Sequence, residues 1–91
     1  MLPEFIASWK HDAGQPLSDI INARDAGALY RFGHTLVGSG LQFGVESFAS
    51  IGRAFEQCSK ADDWNGADCT RSDLLREISV MEDSLRMPRS S

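Results

Sequence analysis

The clearest chemical signal in this sequence is a histidine, His34, followed four residues later by a glycine, Gly38. A neutral imidazole is a competent nitrogen nucleophile near neutral pH. Residues at i and i+4 share one face of a helix, so Gly38 leaves the space beside the imidazole open to a partner. Such a histidine could accept a phosphoryl group from another protein. Arg31, one turn earlier, could offset part of the added negative charge.

Glycines make this segment unusual for a helix. Gly33, Gly38 and Gly40 fall within one apolar helical pattern, and an interior glycine costs a helix about 1 kcal/mol relative to alanine. Some function or contact must therefore require that these positions carry no side chain. We interpret Gly33 and Gly52 as positions of close helix packing. Gly38 instead indicates that a partner can reach His34.

Both histidines also have a purely structural interpretation. His34 could be a half-buried histidine that donates to a backbone carbonyl, and the residues alone leave this alternative open. His11 lacks glycine neighbours and is predicted to be a surface residue at a helix end. Val37 and Leu41 flank His34 on its own face and would form an apolar docking patch if exposed.

Several classes of function lack support in the sequence. There is no GxxxxGK[ST] motif, no kinase glycine loop and no evident carboxylate cluster for Mg²⁺. We therefore expect a protein without a nucleotide or metal site of its own, not an enzyme, whose chemistry is completed in a two-protein complex. Cys58 and Cys69 lack metal-type spacing and are predicted to be reduced thiols of a cytoplasmic protein, a disulfide being less favoured.

Composition sets further limits. The chain has 91 residues, 42% of them apolar, and a net charge of −4, which predicts one domain over residues 1–91. The sequence has no basic stripe of the kind that binds nucleic acid. No apolar run approaches the ~20 residues of a membrane span. No signal peptide is evident. Nothing in the apolar pattern favours a stable dimer, so we expect a monomer.

Apolar spacing predicts an all-α fold. A first helix begins near Pro3 and is broken or kinked around Gly14–Pro16, and its apolar face then resumes through about Ala23. Asp25 is a plausible N-cap for the histidine helix, which is predicted to end between Gly40 and Phe43, with Gly44 as the turn residue.

Two more helices follow. One is predicted from about Val45 to Lys60 and the other from about Asp68, with a polar connection over Ala61–Asp68 between them, Trp64 capping the bundle, and a frayed tail over 87–91. The predicted inward residues are Phe48, Ile51, Phe55, Cys58, Leu74, Ile78, Met81 and Leu85. The predicted outward residues are Glu46, Arg53, Glu56 and Lys60. Short connections favour an antiparallel up-down four-helix bundle.

The segment HTLVGSGLQFG, from His34 to Gly44, resembles the signature of histidine phosphotransfer (HPt) domains. The family pattern is approximately His-x-Leu-Lys-Gly-Ser-Ser/Ala-x-x-apolar-Gly. The residues in register with it are His34, Leu36, Gly38, Ser39, Phe43 and Gly44. Asp25, nine residues before His34, matches the Asp that often opens the histidine helix in this family, so the motif spans about 20 residues. The helix order extends the similarity over nearly the whole chain.

The resemblance implies a function in multistep two-component phosphorelays. His34 would carry the phosphoryl group as a phosphoramidate, passing it between receiver domains of response regulators or hybrid sensor kinases. The receiver would supply its own aspartate and Mg²⁺, so the module would need no cofactor. Gly38 would admit that aspartate, with Ser39 and Gln42 as polar contacts near the rim.

The sequence departs from the family pattern at two places. Val37 stands where the family usually has a lysine that balances phosphoryl charge, so Arg31 would have to substitute for it. Gly14 and Pro16 interrupt a first helix that is usually continuous.

Two other functions compete with phosphotransfer. The protein could be a pure interaction module that docks on a receiver or kinase, in order to scaffold or inhibit it, without carrying phosphate. It could also be a small enzyme with His34 as general base, but the sequence shows no partner nucleophile or oxyanion site.

Overall fold

The computed structural model describes residues 2–86, with side chains described for residues 4–84. The described residues form helices and no strand, which confirms the all-α prediction. In chain order the helices are α1 (Leu2–Ala13), α2 (Gln15–Ala23), α3 (Ala26–Phe43), α4 (Glu46–Ala61) and α5 (Trp64–Arg86). The predicted frayed tail, 87–91, lies outside the described residues.

The first predicted helix is divided in two, as expected from Gly14 and Pro16. α1 ends at Ala13 and α2 begins at Gln15, with Pro16 in its first turn. Carbonyls at the break accept hydrogen bonds from Arg71 of α5, whose Nε donates to Ala13 O at 2.9 Å and whose Nη2 donates to Gly14 O at 3.5 Å. The break is therefore tied to a distant part of the chain.

The histidine helix, α3, begins and ends as predicted. Asp25 caps its N-terminus by accepting a hydrogen bond from the backbone N–H of Ala28 at 3.1 Å. Gly44 caps its C-terminus with φ of 72°, a left-handed conformation that glycine adopts without strain. Since the N–H of Val45 donates to Gly40 O at 2.7 Å, the chain turns directly into α4.

The start of α5 was predicted wrongly. The helix begins at Trp64 instead of about Asp68, and only Asp62 and Asp63 connect it to α4. The Asp63 carboxylate caps the new helix, accepting from the N–H of Gly66 at 2.9 Å. Trp64 is half-buried and packs against the core, so capping and burial together outweigh the polar composition of this stretch.

One cluster of buried side chains forms the core. Most of the predicted inward residues belong to it: Phe48, Phe55, Cys58, Leu74 and Ile78 are buried, whereas Ile51 and Met81 are half-buried. Leu85 lies outside the described side chains. From α3, Leu29 and Leu36 are fully buried.

Helices α3 and α4 are the most closely packed pair. A Cβ built on Gly33 would lie 2.6 Å from Gly52 O, and one built on Gly40 would lie 2.6 Å from Ala49 N. Contacts on α4 thus move toward its N-terminus as those on α3 move toward its C-terminus, so the two helices run antiparallel. The predicted close helix packing at Gly33 and Gly52 is confirmed, and the two glycines lie against each other. The up-down order of the whole bundle stays a prediction.

Aromatic rings separate α1 from α3. The ring centroids of Phe5 and Phe43 are 4.6 Å apart, and those of Trp9 and Phe32 are 5.4 Å apart. No Cα of the described α1 comes within 8 Å of a Cα of α3. These two helices therefore meet through ring contacts. Within residues 2–86, no helix combines the length and apolar character that crossing a bilayer requires.

Candidate functional site

His34 lies near the middle of α3 with 75% of its side chain exposed. Its Nδ1 lies 3.2 Å from Oε2 of Glu56, on α4. The structural alternative, a half-buried ring bonded to a backbone carbonyl, is therefore wrong. The ring projects from the bundle and is held at one nitrogen by a carboxylate.

The contact with Glu56 determines which nitrogen of His34 is reactive. An ionised carboxylate can only accept hydrogen bonds, so in the neutral imidazole Nδ1 carries the hydrogen and donates it. The lone pair then resides on Nε2, which has no hydrogen-bond partner among the described residues. This tautomer is assigned from the hydrogen-bonding chemistry. In this tautomer Nε2 is the ring nitrogen available to act as a nucleophile.

Glu56 was predicted to face outward, and that prediction was wrong. Only 19% of its side chain is exposed, because glycines draw α4 close to α3. A Cβ on Gly33 would lie 3.1 Å from the backbone nitrogen of Glu56. The helical pattern of α4 places this residue on the solvent side, because nothing in the sequence indicates how closely the neighbouring helix approaches.

Tyr30 and Lys60 extend the site by one turn on each helix. The Tyr30 ring stacks on His34 with centroids 6.2 Å apart and planes at 15°. Nζ of Lys60 lies over the Tyr30 ring, 5.7 Å from its centroid. The site therefore contains a cation from α4 that sequence analysis assigned only to the solvent face. Its signal was the spacing, since Tyr30 precedes His34 by four residues and Lys60 follows Glu56 by four.

Gly38 differs from the packing glycines of α3. A Cβ built there would meet nothing within 4 Å, apart from its own helix backbone and chain neighbours, and the residue is exposed. Packing within the described chain therefore does not require this glycine, although it costs the helix about 1 kcal/mol. An approaching partner molecule would explain it.

The other predicted contact residues on the histidine face differ in their exposure. Leu41 is 61% exposed and Gln42 is exposed. Val37 is half-buried, and its Cγ2 would lie 2.7 Å from a Cβ on Gly52. The apolar patch near the histidine thus consists of Leu41, while Val37 packs against α4.

Two predicted site residues lie away from the imidazole. Ser39 is half-buried and lines a cavity between α1 and α3. The Nη1 of Arg31 would lie 3.6 Å from a Cβ on Gly27, one turn toward the start of α3. The Arg31 side chain is therefore directed toward the start of α3, away from His34, while Lys60 contacts the site through Tyr30.

The described residues contain no group of three or more His, Cys, Asp or Glu side chains placed to hold a metal ion. Cys58 and Cys69 are both free thiols, Cys58 buried and Cys69 exposed. Burial raises the pKa of the Cys58 thiol, an effect that a hydrogen bond with Thr70 partly offsets. This keeps Cys58 in its unreactive, protonated form.

Comparisons with protein-family models, with curated proteins and with solved structures find no match for this chain. The function must therefore be argued from the residues and their geometry.

Proposed function

We propose that this protein is a histidine-containing phosphotransfer module that receives a phosphoryl group on His34 from a receiver-domain aspartate and passes it to another receiver. The observation that carries the proposal is the exposed His34 imidazole, held through Nδ1 by Glu56, with open space at Gly38 one turn away. The resemblance of His34–Gly44 to HPt domains supports the same function.

The transfer step balances without an additional reactant. The Nε2 lone pair of His34 attacks the phosphorus of an aspartyl phosphate and forms a P–N bond. The P–O bond breaks, and its electron pair leaves with the partner's carboxylate. The resemblance implies that the partner's Mg²⁺ neutralises the phosphoryl oxygens. No proton has to move, because Nδ1 already carries the hydrogen.

Glu56 acts as a positioning residue in this step. Attack through Nε2 places positive charge on the ring, and the Nδ1–H bond to the carboxylate becomes charge-assisted as that charge develops. Lys60, whose Nζ lies over the Tyr30 ring, is the candidate cation for the phosphoryl oxygens. Catalysis of phosphoryl transfer depends mainly on such positioning and charge neutralisation.

Val37 supports a second candidate function. HPt domains usually carry lysine at this position, but here a valine packs against Gly52. Together with the 61% exposed Leu41, this favours an interaction module that docks on a receiver or kinase without carrying phosphate. Such a module would retain its binding when His34 is replaced.

A phosphotransfer assay separates the two functions. Radiolabelled receiver domains from the same genome are incubated with the protein and Mg²⁺, and the label on the protein is followed over time. We expect an acid-labile, base-stable label on the wild type and none on His34→Gln. His11→Gln is the matched control, because His11 is the other histidine and lies exposed in the last turn of α1.

A Glu56→Ala variant tests the positioning residue. It keeps the nucleophile but frees the ring, so transfer should slow by about 10²-fold without being lost. A wild-type protein that binds a receiver but takes up no label would exclude phosphotransfer and favour the interaction module. A protein that neither binds nor labels would contradict both.

A further inference from the structure

A long groove runs along the flank of α3 opposite the His34–Glu56 pair. It consists of a cavity of about 510 Å³ between α1 and α3 and a second of about 330 Å³ that continues between α2 and α3. Trp9, Asp12 and Thr35 line both cavities. Because these residues are shared, the two cavities adjoin each other, and together they are called the groove below.

Helical periodicity places the lining residues along one face of each helix. On one wall Ser8, Asp12, Pro16 and Ile20 follow one another in steps of four, across the break between α1 and α2. On the other wall, Ala28, Thr35, Ser39 and Phe43 form one stripe of α3. From Ala28 to Phe43 the stripe is about 22 Å long at a rise of about 1.5 Å per residue. This length matches about four turns of a helix.

The floor of the groove is apolar and its α1 wall is acidic. Phe5 and Trp9 lie at the bottom of the first cavity, where their rings pack against α3. Glu4 and Asp12 stand on the α1 wall, eight residues or about 12 Å apart. Asp12 is half-buried, and its carboxylate forms no hydrogen bond or ion pair within the described residues. A carboxylate in this setting gains from an incoming cation.

From this geometry we infer that the groove binds an amphipathic α-helix of a partner protein, with the helix's apolar face on Phe5 and Trp9 and basic side chains along the α1 wall. Helices commonly bind in this way, with apolar anchors at i, i+3, i+4 and i+7. Basic residues about two turns apart would face Glu4 and Asp12. At the far end the cavity is lined by Arg31, where an acidic residue of the partner would fit.

The inference goes beyond phosphotransfer and does not depend on it. Ser39, expected from the resemblance at the rim of a receiver contact, lines this groove instead. A helix in the groove and a molecule at His34 would occupy opposite flanks of α3.

A designed peptide tests the groove directly. The probe is a fluorescently labelled helical peptide of about 16 residues, with leucines at i, i+3, i+4 and i+7 and lysines beside them. Its matched control carries glutamates in place of the lysines. Binding is followed by fluorescence anisotropy, and the site is mapped from the amide NMR shifts of the ¹⁵N-labelled protein. We expect the lysine peptide to bind at least tenfold more tightly and to shift Thr35 and Ser39.

Variants of the protein test separately how the charge and the shape of the groove affect peptide binding. Asp12→Lys should lower the affinity for the lysine peptide at least tenfold. Asp68→Lys, which makes the same charge change at an exposed position of α5, should leave the affinity unchanged. Ser39→Trp should fill the groove and abolish binding, with Ser79→Trp on α5 as its control. Circular dichroism verifies that each variant folds. His34→Gln should bind the peptide as the wild type does, so failure of phosphotransfer leaves this test intact.

Three results would overturn the inference. The two peptides could bind equally well, which would exclude charge recognition. The shifted amides could lie outside the groove, which would place the contact elsewhere. Sedimentation could show a dimer in which Asp12→Lys abolishes self-association, which would make a second copy of this chain the occupant.

Discussion

The two flanks of α3 carry different residue types, and these set different distances to the neighbouring helices. Toward α4 the helix presents Gly33 and Gly40, where an added Cβ would lie 2.6 Å from backbone atoms of the other helix. Toward α1 it presents Phe32 and Phe43, whose rings lie 4.6–5.4 Å from rings of α1. Glycines bring one helix into backbone contact, while aromatic rings hold the other away.

The different separations have different chemical consequences. Close approach of α4 places Oε2 of Glu56 3.2 Å from Nδ1 of His34. The wider separation from α1 leaves cavities of about 510 and 330 Å³. One flank can thus hold a side chain in a defined tautomer, and the other can receive a bulky ligand.

The largest effect is expected on the aromatic flank. Trp9→Ala removes a ring that contacts Phe32 and Phe48 and is only 6% exposed. The free energy of unfolding should fall by about 3–5 kcal/mol, since replacing a buried aromatic by alanine leaves a cavity. Urea denaturation followed by circular dichroism measures it. Trp64→Ala, at a half-buried ring, should cost less, and an equal loss would contradict the separating function of Trp9.

The next largest effect is expected on the glycine flank. Gly33→Ala would place a Cβ 2.6 Å from Gly52 O and 2.9 Å from the Cβ of Phe55, so α4 must move outward. We expect a loss of about 1–3 kcal/mol in the same denaturation experiment, despite the better helix propensity of alanine. Gly27→Ala is the control, because its closest neighbours lie at 3.6 Å. If both variants are stabilised, α3 and α4 are not in backbone contact at Gly33.

A third glycine of α3 should give a change of opposite sign. Gly38→Ala meets nothing within 4 Å, so it should stabilise the protein by about 0.4–1 kcal/mol through helix propensity and chain entropy. A longer side chain should fold equally well but block a partner. The Gly38→Gln variant is therefore expected to have near-normal stability and slower phosphotransfer. Unchanged transfer would mean that the open space at Gly38 does not serve His34.

The smallest effect concerns the buried thiol of α4. Burial raises the pKa of Cys58, so the folded state keeps the thiol proton more tightly than the unfolded chain. The contribution of this proton to the free energy of unfolding is fully present below about pH 8.5, the pKa of a cysteine thiol in the unfolded chain. It is lost progressively above that pH. Between pH 7.5 and about 9.5 the wild type should therefore lose more stability than Cys58→Ala in matched denaturation curves. Equal losses would show that other groups dominate.

Much of the fold could be predicted because local rules decide it. Gly14 and Pro16 break the first helix, and Asp25 and Gly44 bound α3, in each case through the chemistry of one or two residues. The start of α5 was missed because composition suggested a loop. The deciding interactions were the Asp63 cap and the burial of Trp64.

The candidate site was predictable only in part. The resemblance and the i, i+4 spacing identified His34 and Gly38 as neighbours, because both lie on one helix. Glu56, Tyr30 and Lys60 assemble around the histidine across two helices, and their arrangement depends on how closely α3 and α4 approach. Sequence periodicity gives the face of a residue but not that distance.

Arg71 has a consequence for how the protein is made. It reaches back 58 residues to Ala13 O and 57 to Gly14 O, and Lys10 of α1 pairs with Glu82 of α5 at 3.1 Å. On the ribosome, α1 and α2 emerge well before α5 has been synthesised. The polar contacts that tie α1 and the break to α5 can therefore form only after Arg71 and Glu82 have been synthesised, whereas the ring contacts of α1 with α3 and α4 can form earlier.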